Sequence, residues 1–261
     1  MIAQNLYICY DIPMKNQKIR LNKYIASTGL CSRRKADEYI EAGFVSVNGQ
    51  KITELGYLVS AKDKVSVKGQ LIKPQTLTYI RYYKPSGYIT TMDDEKGRKT
   101  IYDILPEEVQ TLKPVGRLDK DSTGLLIMTN DGDFINELAH PSVKVPKVYR
   151  VCANGKLNLN DIELMAKGIE IEKGQIAYAI ARIVEFEGKN TVLEMVLYQG
   201  LNRQIRKMLD ILGHSVISLK RVSFGPVDLS GLKKGQFKYM KPKQIQEIKN
   251  YLKKLKKNDS H

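Results

Sequence analysis

Cysteine and histidine are scarce in this chain, three of each in 261 residues, and neither is grouped. Cys9, Cys31 and Cys152 are far apart and odd in number, which argues against a disulfide framework or a metal-binding pair and suits a reducing cytosol. His140, His214 and His261 make no ligand set, so no metal is expected. No apolar run approaches the length of a membrane span, so no membrane contact is expected either. No glycine-rich nucleotide-binding loop follows a strand pattern. Residues 1–13 lack the basic leader and cleavage site of a signal peptide, and Met14 reads as a more natural start.

Acidic residues are also in the minority, 28 Asp and Glu against 43 Lys and Arg, for a formal charge of +15. Such an excess favours approach to a polyanion, and nucleic acid is the commonest one in a cell; a solvated, lysine-biased surface gives the same count. Position has to decide between them. With 42% hydrophobic residues the chain is globular, long enough for one large domain and a small one. Residues 1–18 read as an N-terminal extension, 19–72 as a small α/β module, 73–77 as a linker, 78–256 as the main domain and 257–261 as a tail.

In the module, Leu21, Tyr24 and Ile25 keep helical spacing up to Gly29, and Ser32 caps a second helix. Val45 and Val47 alternate as a strand into the tight turn Asn48-Gly49, and Val65 and Val67 repeat the pattern before Gly69. Arg33, Arg34 and Lys35 fall in the first turn of the second helix, where the helix dipole disfavours cations unless an anion neutralises them. A phosphate backbone does so, using the free N–H groups as well. In the main domain, 78–92, 114–129, 145–152, 175–186 and 191–198 read as strands, and 132–139, 160–167, 202–213 and 243–256 as helices. Strands outnumber helices and connections are short. The expected class is therefore α+β, with a mainly antiparallel mixed sheet and flanking helices. Ile245, Ile248, Leu252 and Leu255 put an apolar stripe on the last helix, which should pack on the body.

Three stretches carry candidate chemistry. In 115–130, Asp119 stands between Gly116 and Gly124, which allow unusual dihedrals or close backbone approach. Leu118 and the apolar run after Gly124 tie this loop to the core, the rigid support a reactive group needs. A nucleophilic carboxylate must stay ionised in a partly dry site, which calls for a nearby cation. Arg117 is one candidate. The segment 199–208, with Gly200 and Asn202 ahead of a helix carrying Arg203 and Arg206 one turn apart, supplies a better one. One arginine there turns inward to a carboxylate and the others meet phosphates, or the whole face is simply solvated. In 144–151, Tyr149 is either core filler or a ring that stacks on a base and acts as a weak acid or base.

The stretches 20–26, 32–36 and 45–49 resemble the small RNA-binding module named after ribosomal protein S4, which implies an RNA face at Lys23, Ser32, Arg33, Arg34 and Lys35. Gly-Arg-Leu-Asp-x-x-Ser-x-Gly-Leu at 116–125, Gly-Leu-Asn-Arg-Gln-Ile-Arg-Lys-Met at 200–208 and Lys84-Pro85-x-Gly87 resemble the RsuA/RluB/RluE/RluF family of bacterial ribosomal-RNA pseudouridine synthases, from Ile19 to about Ile248. That resemblance implies that Asp119 is the catalytic aspartate, Tyr149 the active-site tyrosine and Arg206 the basic partner of the aspartate. Leu125 or Leu126 would line the uracil pocket, and Arg117, Asn202 and Arg203 would hold substrate. It further implies uridine-to-pseudouridine isomerisation without cofactor, on ribosomal RNA and most of all that of the large subunit, by a monomeric enzyme. A non-catalytic RNA-binding protein has no need of the 116–125 loop. A methyltransferase or a tyrosyl-tRNA synthetase carrying the same module needs nucleotide-binding signatures that the chain lacks.

Overall fold

The computed structural model describes residues 18–92 and 94–258; nearly all of the expected N-terminal extension, the start at Met14, and residues 259–261 lie outside them. The described chain divides into two compact units, 18–78 with 130–132, and 79–129 with 133–258.

The first unit opens with β1 (Ile19–Arg20), α1 (Leu21–Ser27) and α2 (Arg33–Glu41). Five short strands follow: β2 (Val45–Val47), β3 (Gln50–Ile52), β4 (Leu58–Val59), β5 (Val65–Val67) and β6 (Gln70–Ile72). Ser32 ends the connection before α2 because its side chain accepts the Lys35 N–H, satisfying one of the helix's free donors. Asn48 and Gly49 both adopt positive φ, the requirement of a tight two-residue hairpin, and β2 pairs with β3 across them. The apolar residues at period two in β2 and β5 meet Leu21, Tyr24, Ile25, Ala36 and Ile40 in one buried cluster.

The second unit is built on a mixed sheet. Its elements are β7 (Tyr79–Lys84), β8 (Lys113–Pro114), β9 (Thr123–Thr129), α3 (Gly132–Ala139), β10 (Lys147–Asn154) and α4 (Leu159–Lys167). Next come β11 (Ile169–Glu172), β12 (Gln175–Ala177), β13 (Ile180–Glu187), β14 (Asn190–Leu197) and α5 (Gln204–Ile211). The chain closes with β15 (Val216–Phe224), β16 (Val227–Asp228), β17 (Phe237–Tyr239) and α6 (Pro242–Asn258). The strand order is β13-β14-β10-β15-β9-β7-β17, with β8 and β16 attached beside β9 and β15. Every ladder in it is antiparallel except β9–β15. The class is α+β, and the sheet is mainly antiparallel with flanking helices.

The sequence pattern and the structure part at five places, one being 175–186, which is two strands: β12, paired with β11, and β13, in the large sheet. β7 stops at Lys84, not 92, because Pro85 has no donor for the ladder and Gly87 turns at φ +95°. The stretch 114–129 is not one strand: residues 115–122 form a loop between β8 and β9. β15 is a strand that periodicity did not reveal, since its buried positions include Arg221 beside Leu219 and Phe224, and an arginine on the inward face reads as polar. The expected tail at 257–261 begins inside a helix, since α6 runs through Asn258. The apolar stripe of α6 is buried as expected at Ile245, Ile248 and Leu252. Among the described residues no helix is long and apolar enough to cross a membrane.

Candidate active site

Residues 118–122 follow no regular ladder, yet each of their carbonyls is taken. Thr90 Oγ1 donates to Leu118 O at 2.8 Å. Lys84 Nζ reaches Asp119 O at 3.1 Å, Lys120 O at 3.4 Å and Ser122 O at 2.9 Å. Gly87 N–H donates to Lys120 O at 2.8 Å, and Arg206 Nη2 to Asp121 O at 3.3 Å. At the loop's entry, Val115 N–H is anchored on Ile127 O at 2.8 Å. The backbone beneath Asp119 is thus held from several elements at once. Its carboxylate is half-buried and, among the described residues, makes no hydrogen bond or ion pair. A fixed backbone carrying an uncommitted acid is the preorganisation that chemistry on an external substrate requires.

The clamps come from one row across the sheet. Lys84 of β7 faces Gly124 of β9, Gly124 faces Arg221 of β15, and Arg221 faces Tyr149 of β10. Gly124 has φ +112°, and a Cβ there would run into the Arg221 backbone, so only glycine lets β9 lie this close to β15. The parallel ladder between them holds only two residue pairs. Where it ends, Arg221 Nε donates to Leu125 O at 2.8 Å in place of a backbone bond. Arg221 is 2% exposed, and its Nη2 is buried without a hydrogen-bond partner, as is Arg206 Nε. Such orphan donors cost about 1–3 kcal/mol each and favour an arriving anion.

Burial pushes the Lys84 ammonium down to about 8, with Asp119 and Asp121 pulling it back up and Arg221 opposing them. Lys147 is likewise pushed down to about 8, by burial first and then by Arg221. Lys147 and Arg221 both approach the Phe224 ring, each 5.2 Å from its centroid.

Lys147, Arg221 and Phe224 border a cleft of about 1330 Å³. That exceeds the roughly 300–1,000 Å³ of small-molecule sites, so a stretch of polymer fits the space better than a metabolite. Nine cations line it, Lys96, Arg98, Arg117, Lys120, Lys144, Lys147, Arg203, Arg206 and Arg221, against Asp94, Glu95 and Asp119. The three acids are therefore outweighed along the walls, and Asp94 is also committed to Arg98 at 2.6 Å. Tyr149, Leu118, Leu201 and Leu219 add apolar surface to the same cleft.

The structure brings Asp119, Tyr149, Arg206, Arg117, Asn202 and Arg203 to this one cleft. It departs from the sequence reading on two points. Arg206 forms no ion pair with Asp119 among the described residues; its guanidinium instead caps the carbonyls of Asp121 and, at 3.4 Å, Val216. The free carbonyls of the loop are the nearer claim on its donors. Leu125 and Leu126 do not border the cleft: both are 0% exposed, already inside the sheet two residues after β9 begins. Leu118, Leu201 and Leu219 take that place.

Lys84, Thr90, Gln204 and Arg221 are the residues that sequence reasoning did not reach. Gln204 is 3% exposed and locks the turn before α5, donating to Tyr178 O at 2.9 Å and accepting from Leu201 N–H at 3.3 Å. Its neighbour Arg203 starts the helix at φ +51°, a left-handed conformation rare for a side-chain-bearing residue and typical of strained functional loops. Lys84 stood in a quoted motif, but nothing local showed that its ammonium would gather carbonyls from residues 35 and more positions away. In the first unit, Arg33, Arg34 and Lys35 are exposed, Lys23 is half-buried on α1, and the Ser32 hydroxyl is committed to capping α2.

Comparison with known proteins gives a consistent picture. Residues 78–210 match the family model described as RNA pseudouridylate synthase, and residues 19–65 match the S4 domain. The chain is 37% identical over 232 residues to ribosomal large subunit pseudouridine synthase B of Bacillus subtilis, covering 88% of this chain and 95% of that protein. It is 36% identical over 228 residues to the dual-specificity RNA pseudouridine synthase RluF of Escherichia coli K12, covering 86% and 76%. A crystal structure of a pseudouridylate synthase superposes with a TM-score of 0.62 at 25% identity, covering 87% of this chain and 98% of that one.

Proposed function

We propose that this chain, which belongs to the RNA pseudouridylate synthase family and isomerises uridine to pseudouridine in RNA, works through Asp119 on a uridine of large-subunit ribosomal RNA. The observation that carries the assignment is the clamped loop: carbonyls 118–122 are all held, while the Asp119 carboxylate is uncommitted in a cation-lined cleft. The large-subunit target is supported by the names of relatives such as the Bacillus subtilis enzyme. The reaction breaks the N1–C1′ bond, forms C5–C1′, and exchanges a C5 proton for one on N1. Atoms and electrons balance within the nucleoside, so no cofactor enters.

The target uridine must leave its stack to reach the carboxylate, which is cheapest where RNA is unpaired or distorted. The cationic walls hold the flanking phosphates, with Arg117, Asn202 and Arg203 on the rim. Asp119 either assists departure of uracil from C1′ or adds to C6. Tyr149 stacks on the freed base and, in the first route, takes the C2′ proton. Arg206 is a positioning residue, holding the Asp119 loop through the Asp121 carbonyl. The cleft draws every one of these groups from one chain, which supports action as a monomer, and relatives that modify ribosomal RNA support the cytoplasm as the place of action.

Asp119→Asn keeps the side chain's shape and removes its charge. It is expected to abolish pseudouridine formation in large-subunit RNA while binding that RNA within about threefold of wild type, as read by chemical mapping and filter binding, since the cationic contacts that dominate affinity are untouched. Turnover at the wild-type rate would show that another group does the chemistry.

A further inference from the structure

Phe44 is 48% exposed on the first unit, in the connection between α2 and β2. A single exposed phenylalanine is unremarkable by itself. What marks this one is the company built around it. Its ring stands edge-on to Tyr39, centroids 6.2 Å apart at 72°. The Lys68 ammonium lies 4.9 Å from the Tyr39 centroid and 5.3 Å from that of Phe44. Lys35, in the first turn of α2, reaches the Tyr39 ring at 5.7 Å while paired with Glu38 at 2.6 Å.

Two backbone features hold that arrangement. Lys68 adopts φ +50°, and its N–H donates to Phe44 O at 2.7 Å. Gly43, at φ +69°, leaves the space through which the Lys51 stem passes, where any Cβ would collide with it. Two lysines are thus held against two rings and a third, Lys51, runs beside the neighbouring Gly43, next to the exposed Arg33 and Arg34 of α2. Apolar ring faces surrounded by cations suit a ligand that is anionic and also presents flat π-surfaces. Single-stranded nucleic acid has both, whereas a duplex keeps its base faces stacked inside.

We propose that Phe44, with Tyr39 and the lysines 35, 51 and 68, forms a stacking platform for one unpaired nucleobase of the RNA, beside phosphate contacts at Arg33 and Arg34. The inference rests on the reading of the first unit as an RNA-binding module. It adds that the module grips a single-stranded or bulged nucleotide and not only a phosphate backbone.

The chain has no tryptophan, so Phe44→Trp introduces the only indole. Its emission is expected to be quenched by an unpaired RNA oligonucleotide and left unchanged by a blunt duplex of the same length under conditions where both bind. Phe44→Ala, at an exposed site, should fold normally and weaken binding of the unpaired oligonucleotide by roughly 5- to 100-fold. The slope of affinity against salt should not move, since no charge is lost. Arg33→Ala should instead reduce that slope. Unquenched emission, or unchanged affinity in Phe44→Ala, overturns the platform. If Arg33→Ala still lowers the slope, the RNA-binding reading of the unit survives that failure; if it does not, both fall.

Discussion

Lys84 links stability to pH through one buried ammonium that also holds the Asp119 loop. Its side chain is 0% exposed and its hydrogen bonds run to the carbonyls of the Asp119 loop. With the folded ammonium pushed down to about 8 against 10.5 for a free lysine, the unfolded chain holds the proton more tightly between those values. Stability from this group therefore rises with pH across that window. The charged donors that hold the loop are lost over the same window. Melting temperature and turnover should consequently diverge: from pH 8 upward, wild type gains stability relative to Lys84→Met while its activity falls. Parallel curves would contradict this role. At pH 7, Lys84→Met is expected to lower turnover by about 100-fold, the scale of a displaced catalytic group.

Tyr149 belongs to the same scale. Its ring packs against the main apolar cluster, and it borders the cleft opposite Arg221 in the strand register. Tyr149→Phe keeps the ring and removes the hydroxyl. If the phenol takes the C2′ proton, turnover should fall by roughly 10²-fold or more with RNA affinity unchanged. Unaltered turnover would restrict the residue to stacking.

Among the elements, the β9–β15 junction is the one on which the site depends. A parallel pair of only two residues joins the two antiparallel parts of the sheet. Gly124 permits the approach and Arg221 bridges the ladder's end. Gly124→Ala combines an unfavourable left-handed backbone, about 1–2 kcal/mol, with overpacking of about 1–3 kcal/mol. Chemical denaturation should therefore show a loss of roughly 2–5 kcal/mol; a loss below 1 kcal/mol would mean the strands separate freely. α6 makes a simpler contribution. Its buried Ile245, Ile248 and Leu252 are each worth about 1.5–3 kcal/mol of burial, while the basic residues of its last turn stay at the surface.

For the whole molecule, charge and periodicity sit in neighbouring residues, and so the chain declares them. The helices of the first unit, the Asn48-Gly49 hairpin, the α6 stripe and the α+β class follow from spacing, because turn chemistry and apolar faces act over a few residues. The proposed reactive acid is also legible, since Asp119 lies in a compact motif between two glycines. The contacts that hold its loop are not. Lys84 and Thr90, Arg206, and Arg221 come from three segments of the chain and converge on carbonyls of residues 118–125. The leucines bordering the cleft were misread for the same reason: alternation places a residue on a face of a strand, but not whether another layer covers that face. Sequence alone determined the candidate acid, the excess of positive charge and the class of fold, all of them local or additive properties. Tertiary structure alone decided which cations fix the acid's loop and which residues border the cleft, because those are contacts between residues that the backbone brings together from far along the chain.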